Sequence, residues 1–303
     1  MNIVDFFVRF SRLQRRYRYI PNRLLSPLRY LTRIVANNIL PIYLDKKKDY
    51  TPRFCTEIIV SFTSFPARIN NVWQVIETMM RQTYRPKKIY LWLSKEQFPS
   101  IENIPQKLIE QQNEIFEIRF VDGDIRSHKK YYYIAKESPD SLIFLIDDDI
   151  YYDTQIIERS YRAHLEHPNC IICNLGSLLT FNEDGTRKQF SEWNRTTTTN
   201  GNYLGLDLMF GSGAGTLFRP NMMHPDLTNI ELAKDLTPLA DDLWLNAMSR
   251  MVNTNRYLLK NGPLLPIMTK NDKKLSTINC DNHKNDEQLA NLEIHYGRIF
   301  DKI

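Results

Sequence analysis

The chain has 303 residues, 42% hydrophobic and 25% charged, which is material for one or two globular domains with a sizeable core. Four cysteines, Cys55, Cys170, Cys173 and Cys280, are too scattered for a disulfide framework, and Cys170-Ile-Ile-Cys173 lacks the second pair or the histidines of a zinc site, so free thiols in a reducing compartment are expected. The net charge of +5 is unevenly placed: residues 1–48 carry eleven Lys and Arg against two Asp, a balance of +9, and the remainder carries −4.

This basic arm comes first. Phe6, Phe7, Phe10, Leu13, Tyr17, Leu24, Leu28 and Leu31 lie between its charges. No uncharged run approaches the roughly 18 residues of a spanning helix, and no signal-peptide core is present. A basic stretch interleaved with aromatics suits an anionic membrane surface, which predicts a cytoplasmic protein peripheral on the inner face of the plasma membrane. Nucleic acid is the weaker partner for such an arm, and packing on the domain is the alternative to both. Pro21 and Pro27 are expected to break the arm into short helices. The arm is taken as residues 1–50 and the main domain as 51–303.

Glu57–Phe62 is the first expected strand, followed by the polar loop Thr63-Ser64-Phe65-Pro66-Ala67-Arg68 and a helix over about 70–82. Lys88–Ser94 and Phe116–Val121 are further strands, with a short helix near 106–112 between them. After the turn Asp122-Gly123-Asp124, Lys129 and Lys130 open another helix, where a solvated face is the ordinary expectation and a phosphate contact the functional one. Strands and helices thus alternate through residue 165, which predicts a parallel sheet with helices on both faces.

The residues 141–153, Ser-Leu-Ile-Phe-Leu-Ile-Asp-Asp-Asp-Ile-Tyr-Tyr-Asp, organise the rest. The apolar run Leu142–Ile146 is a strand buried on both faces, so Asp147, Asp148 and Asp149 fall at its carboxyl end, where open α/β sheets bind ligands. If the chain stays extended, Asp147 and Asp149 face one way and Asp148 the other. Oxygen ligands suit Mg²⁺ or Mn²⁺ with substrate phosphate completing the shell, and a solvated acidic turn is the alternative. Cys170–Cys173 forms another strand with its two thiols on opposite faces, and Asp184-Gly185 signals a hairpin.

Gly211, Gly213 and Gly215 precede a strand-like Thr-Leu-Phe. They do not form a dinucleotide fingerprint, and allow either close backbone approach to a ligand or a bulge. Asp241 and Asp242 open a helix with the stripe Leu243, Leu245, Met248 and Met251. Capping and the helix dipole account for one acidic residue better than for two. The tail from about 286 to 299 is expected to be a surface helix. Asn194-Arg195-Thr196 matches a glycosylation sequon by chance, since nothing else points to secretion.

This ordered set, over roughly residues 56–260, resembles the GT-A nucleotide-sugar glycosyltransferases, most of all the bacterial family-2-type enzymes that build surface polysaccharides. The resemblance implies an α/β GT-A fold, a Rossmann-like mixed sheet with helices on both faces, with a nucleotide-binding half (56–165) and an acceptor half (166–303). It implies a metal-dependent, inverting transfer from a nucleotide-sugar donor, UDP by default, to a glycan or lipid-linked acceptor. Asp147 and Asp149 would hold Mn²⁺ or Mg²⁺, joined by His283 if the family's C-terminal histidine is present. Thr63, Ser64, Arg68, Lys129, Lys130, Asp148, Gly211, Gly213 and Gly215 would line the donor. Asp242 would be the base, with Asp241 as second choice. Where many relatives carry an acidic residue after the second strand, this chain has Ser94-Lys95. Competing functions are a metal-dependent phosphoryl or nucleotidyl transferase and a non-catalytic sugar-nucleotide-binding module. The missing P-loop weighs against the first.

Overall fold

The computed structural model describes residues 2–16, 22–46, 50, 52–195, 202–259, 264–268 and 284–302. In chain order the principal elements are α1 (Ile3–Arg16), α2 (Asn22–Lys46), β1 (Ile59–Thr63), α3 (Val72–Met80), β2 (Lys88–Ser94), β3 (Phe116–Val121), α4 (Lys129–Glu137), β4 (Ile143–Ile146), α5 (Ile156–Glu166), β5 (Ile171–Cys173), β6 (Tyr203–Gly205), β7 (Ala214–Phe218), α6 (Asp241–Met251), β8 (Arg256–Leu258) and α7 (Lys284–Tyr296).

Among the described residues the main sheet has eight strands in the order β6-β8-β5-β7-β4-β1-β2-β3. The half β4-β1-β2-β3 is parallel throughout. β7 runs antiparallel between β4 and β5, which makes the whole sheet mixed. The chain builds outward from β1 through β2 to β3, then returns to the other side of β1 to lay down β4. The gap beyond the carboxyl ends of β1 and β4 is therefore the topological switch point, and Ser64 and Asp147 both stand there.

Period-two burial sorts the strands onto two cores. Val60, Phe62, Leu91, Phe144 and Ile146 face one side, with Val75, Ile76 and Met79 of α3 and Ile156 and Ile157 of α5. Ile59, Trp92, Ile143 and Leu145 face the other, with Tyr131 and Ile134 of α4 and Leu243, Trp244 and Met248 of α6. Helices thus cover both faces, as the alternating pattern predicts. Cys170 and Cys173 fall in opposite cores, and both are free thiols.

Three local expectations change. The arm is not a string of short helices: α2 is a single 25-residue helix that runs through Pro27 and Pro41, while Pro21 lies outside the described residues. Each proline removes one backbone donor, but tertiary burial of Ala36, Leu40 and Leu44 holds the helix together, and Asn37 Nδ2 donates to Arg33 O at 2.8 Å. With Val4, Phe7 and Val8 of α1, these residues belong to the same core as β1 and β4. The tail helix α7 is not wholly superficial, since Leu289 and Leu292 are fully buried in the second core. The short helix expected over about 106–112 is a single turn, Gln106–Ile109.

Candidate active site at the β1–β4 switch point

β4 stops at Ile146, and Asp147–Asp149 form a turn rather than a continued strand. Strand alternation therefore does not set where the three carboxylates point. Asp147 N donates to Gly213 O at 3.0 Å and to the Tyr152 hydroxyl at 2.8 Å, so the residue just before β7 and a tyrosine three positions past the turn fix its backbone. Its carboxylate presses against Gly213, where an added Cβ would lie 1.9 Å from Asp147 Cγ. Only glycine leaves that room. Asp148 turns away into the protein, accepting from Ser64 Oγ at 2.5 Å and from Arg68 Nη1 at 2.9 Å. Arg68 Nη1 also reaches Asp149 Oδ2 at 3.0 Å, so one guanidinium clamps two of the three aspartates. Burial raises the Asp148 pKa, with Arg68 and Ser64 opposing it.

Lys130 joins this turn to the second acidic motif. It is the second residue of α4, whose first turn lies over β1: Ser61 Oγ donates to Lys130 O at 2.7 Å and accepts from Trp92 Nε1 at 2.9 Å. Lys130 Nζ stands 2.7 Å from Asp147 Oδ1, 3.3 Å from Asp241 Oδ2 and 3.2 Å from Ser212 Oγ. The solvated helix face expected for this lysine is wrong, because the side chain is buried. Burial opposes its charge, but Asp147, Asp241 and Asp242 outweigh it and raise the pKa, so Lys130 is an ammonium at all ordinary pH.

Asp241 and Asp242 do not cap α6, as no side chain closes its N-terminus. Ser212 engages both instead: its hydroxyl donates to Asp241 Oδ2 at 2.7 Å, and its backbone N–H donates to Asp242 Oδ1 at 2.7 Å. Burial works against the charge on Asp241, yet the Lys130 ammonium and the Ser212 hydroxyl hold its pKa below the usual carboxylate range. Burial and the neighbouring Asp241 charge push the other way on Asp242, which rises to about 6. Asp242 keeps part of its surface open. Two adjacent carboxylates are thereby driven apart, one kept ionised and one set to exchange a proton near neutral pH.

His128 holds the frame. Its Nε2 lies 2.7 Å from Thr237 O, which can only accept, so Nε2 carries the proton and Nδ1 accepts from the Tyr131 hydroxyl at 2.9 Å. Burial lowers the His128 pKa and keeps the ring neutral. It thus ties the start of α4 to the segment leading into α6. Sequence reasoning missed His128, Tyr152 and Ser212. Ser212 had a signal: it is the one polar residue inside a run of small ones.

The remaining expected residues divide clearly. Ser64, Arg68, Lys130, Asp147, Asp148, Asp149, Gly213, Asp241 and Asp242 come together. Thr63 does not join them, for its hydroxyl donates to Trp92 O on the next strand at 2.8 Å. Lys129 is buried against Asp124, away from the aspartate turn. Gly215 serves the bulge of β7 with φ of +94°, and Gly211 meets nothing nearer than 4.0 Å. His283 lies outside the described residues.

Among the described residues, no three His, Cys, Asp or Glu side chains converge as a metal cage. The donor set still fits Mg²⁺ or Mn²⁺, which are commonly held by one or two carboxylates with substrate phosphate completing the shell. Asp147 is the most open of the triplet, its side chain 39% exposed, in a cradle that Gly213 alone permits.

No protein-family model matches the chain, and no curated protein matches it in sequence. Among solved structures, S. aureus TarS 1-349 in complex with UDP-GlcNAc is similar at a TM-score of 0.46 and 12% identity, covering 81% of this chain and 73% of that one. HddC from Yersinia pseudotuberculosis is similar at a TM-score of 0.33 and 10% identity, covering 56% of this chain and 77% of that one. No residue role passes from either to this chain.

Proposed function

We propose that the chain is a glycosyltransferase of GT-A type, moving a sugar from a nucleotide donor to an acceptor hydroxyl by direct, inverting displacement. One observation carries this: Lys130 bridges Asp147 and Asp241 at 2.7 and 3.3 Å, so a phosphate-and-cation site and a tunable carboxylate pair form one centre. Asp147 and Asp149 are the residues that would hold a divalent cation, which when bound supplies charge neutralisation for the leaving diphosphate. Arg68 and Lys130 are the adjacent cationic donors for phosphate oxygens. Asp242, at about 6, is the base that takes the proton from the attacking hydroxyl. Asp241 stays charged and anchors Lys130 and Ser212. With one carboxylate assigned as base and none assigned as nucleophile, the reading is a single displacement that inverts the anomeric carbon. The resemblance makes UDP-sugars the first donors to test and a lipid-linked or surface glycan the acceptor.

The test is product analysis with UDP-, GDP- and CDP-sugars, Mn²⁺ and a glycan or lipid-linked acceptor. Release of nucleoside diphosphate, slowed about 10²- to 10⁴-fold in Asp242→Asn while donor binding persists, supports the assignment. Release of pyrophosphate instead indicates nucleotidyl transfer, and donor binding without turnover in the wild type indicates a binding module.

A further inference from the structure

The helix α2 has two unlike sides. Ala36, Leu40 and Leu44 are buried in the first core. On the other side, Leu28, Leu31, Val35, Ile39 and Ile42 are all exposed, Leu31 at 56% and Ile42 at 58%. Their spacings of three, four, four and three residues place them on one continuous stripe. Tyr30, 59% exposed, lies on the same helix. A contiguous apolar strip on a soluble surface marks a contact site. No helix among the described residues is long and apolar enough to cross a membrane, so the stripe belongs to a helix lying on its partner rather than through it.

Charge selects the partner. Residues 1–48 carry +9 while the rest of the chain carries −4. A second copy meeting stripe to stripe would set +9 against +9. An anionic lipid surface offers both the apolar layer and the opposite charge. We infer that α2 lies in the interface of an anionic membrane, with Leu28, Leu31, Val35, Ile39 and Ile42 as its lipid-facing side chains.

The far side of the same helix reaches the candidate active site. Asn37 Nδ2 donates to Pro266 O at 3.1 Å, and Asn37 Oδ1 accepts from Met268 N at 2.8 Å. Between them, Ile267 N donates to Asp149 O at 2.7 Å. The helix that rests on lipid therefore grips the segment 266–268 that is bonded to the aspartate turn, and a docked molecule keeps that turn a short, fixed distance from the bilayer. This inference stands whether or not the chemistry is glycosyl transfer.

Truncating the arm would remove core residues, so point changes on the exposed stripe are the proper test. Full-length wild type and the double variant Leu31→Ser, Ile42→Ser are sedimented with phosphatidylcholine vesicles with and without phosphatidylglycerol, at low and high salt. The wild type is expected to bind the anionic vesicles, less so in high salt as surface charge is screened. The double variant is expected to lose at least about tenfold in partitioning, since it removes two large apolar side chains from the interface, with an unchanged circular-dichroism melt. Three results would overturn the inference: a wild type that stays in the supernatant, a double variant that binds equally well, or a vesicle-indifferent dimer that the double variant dissociates in analytical ultracentrifugation.

Discussion

Replacing Lys130 with methionine tests the electrostatic centre by removing the ammonium while keeping an unbranched, flexible side chain. Nζ lies 2.7 Å from Asp147 Oδ1 and 3.3 Å from Asp241 Oδ2. At an effective dielectric of about 20, each contact contributes roughly 5–6 kcal/mol before desolvation is charged against it. Desolvation of the buried ammonium returns most of that, and removing one partner of a buried ion pair costs about 3–5 kcal/mol net. That is a large share of the roughly 5–15 kcal/mol that keeps a domain folded, and it lowers Tm on the order of 10 °C. The pH dependence is the sharper readout. In the wild type the folded-state pKa of Asp241 is depressed, so its contribution is present above the unfolded value and lost as pH falls through the folded one. In Lys130→Met, burial is unopposed, the Asp241–Asp242 pair retains a proton, and acidification relieves the strain. Urea unfolding in EDTA at pH 5.5 and 7.5 should therefore show the deficit of the variant shrinking at the lower pH. A variant as stable as wild type at pH 7.5, or a deficit equal at both pH values, would refute the bridging role.

Other consequences follow from the same geometry. The rate of transfer should rise with pH through about 6, because Asp242 acts only once ionised; Asp242→Asn should lose that limb and about 10²- to 10⁴-fold in kcat. Gly213→Ala should cost at least about tenfold in donor affinity by calorimetry, since its Cβ would fall 1.9 Å from Asp147 Cγ, whereas Gly211→Ala, with nothing nearer than 4.0 Å, should bind donor normally. Asp5→Ala should destabilise the fold by about 2–4 kcal/mol in urea unfolding, because Asp5 accepts from Thr154 N and Thr154 Oγ1, both at 2.8 Å, inside the core.

The parallel half of the sheet was legible because its strands are apolar runs with turn signals, and the aspartate triplet marked its own place at a strand end. The two acidic motifs were visible separately. What joined them was not: Lys130 precedes Asp147 by seventeen positions and Asp241 by over a hundred, and only the return of the chain past β1 brings them together. The orientation of the triplet failed because alternation assumes an extended chain, and the chain turns at Asp147. The arm failed differently. Proline predicts helix breaks from local backbone chemistry, whereas α2 is held by burial of Ala36, Leu40 and Leu44 against strands far away in sequence. Thr63 illustrates a limit of loop motifs, because a residue at the very end of a strand still serves its neighbour's backbone.

If the turn at Asp147–Asp149 and the start of α6 form one nucleotide-sugar transfer site, nucleotide binding must depend on the turn and not on the base. Calorimetric titration of UDP, with and without Mn²⁺, into wild type, Asp149→Ala and Asp242→Asn tests it most directly. Cation-dependent binding is expected for the wild type, with binding lost in Asp149→Ala and retained in Asp242→Asn. Cation-independent binding that survives Asp149→Ala, or no binding of UDP, GDP or CDP under any condition, would contradict it.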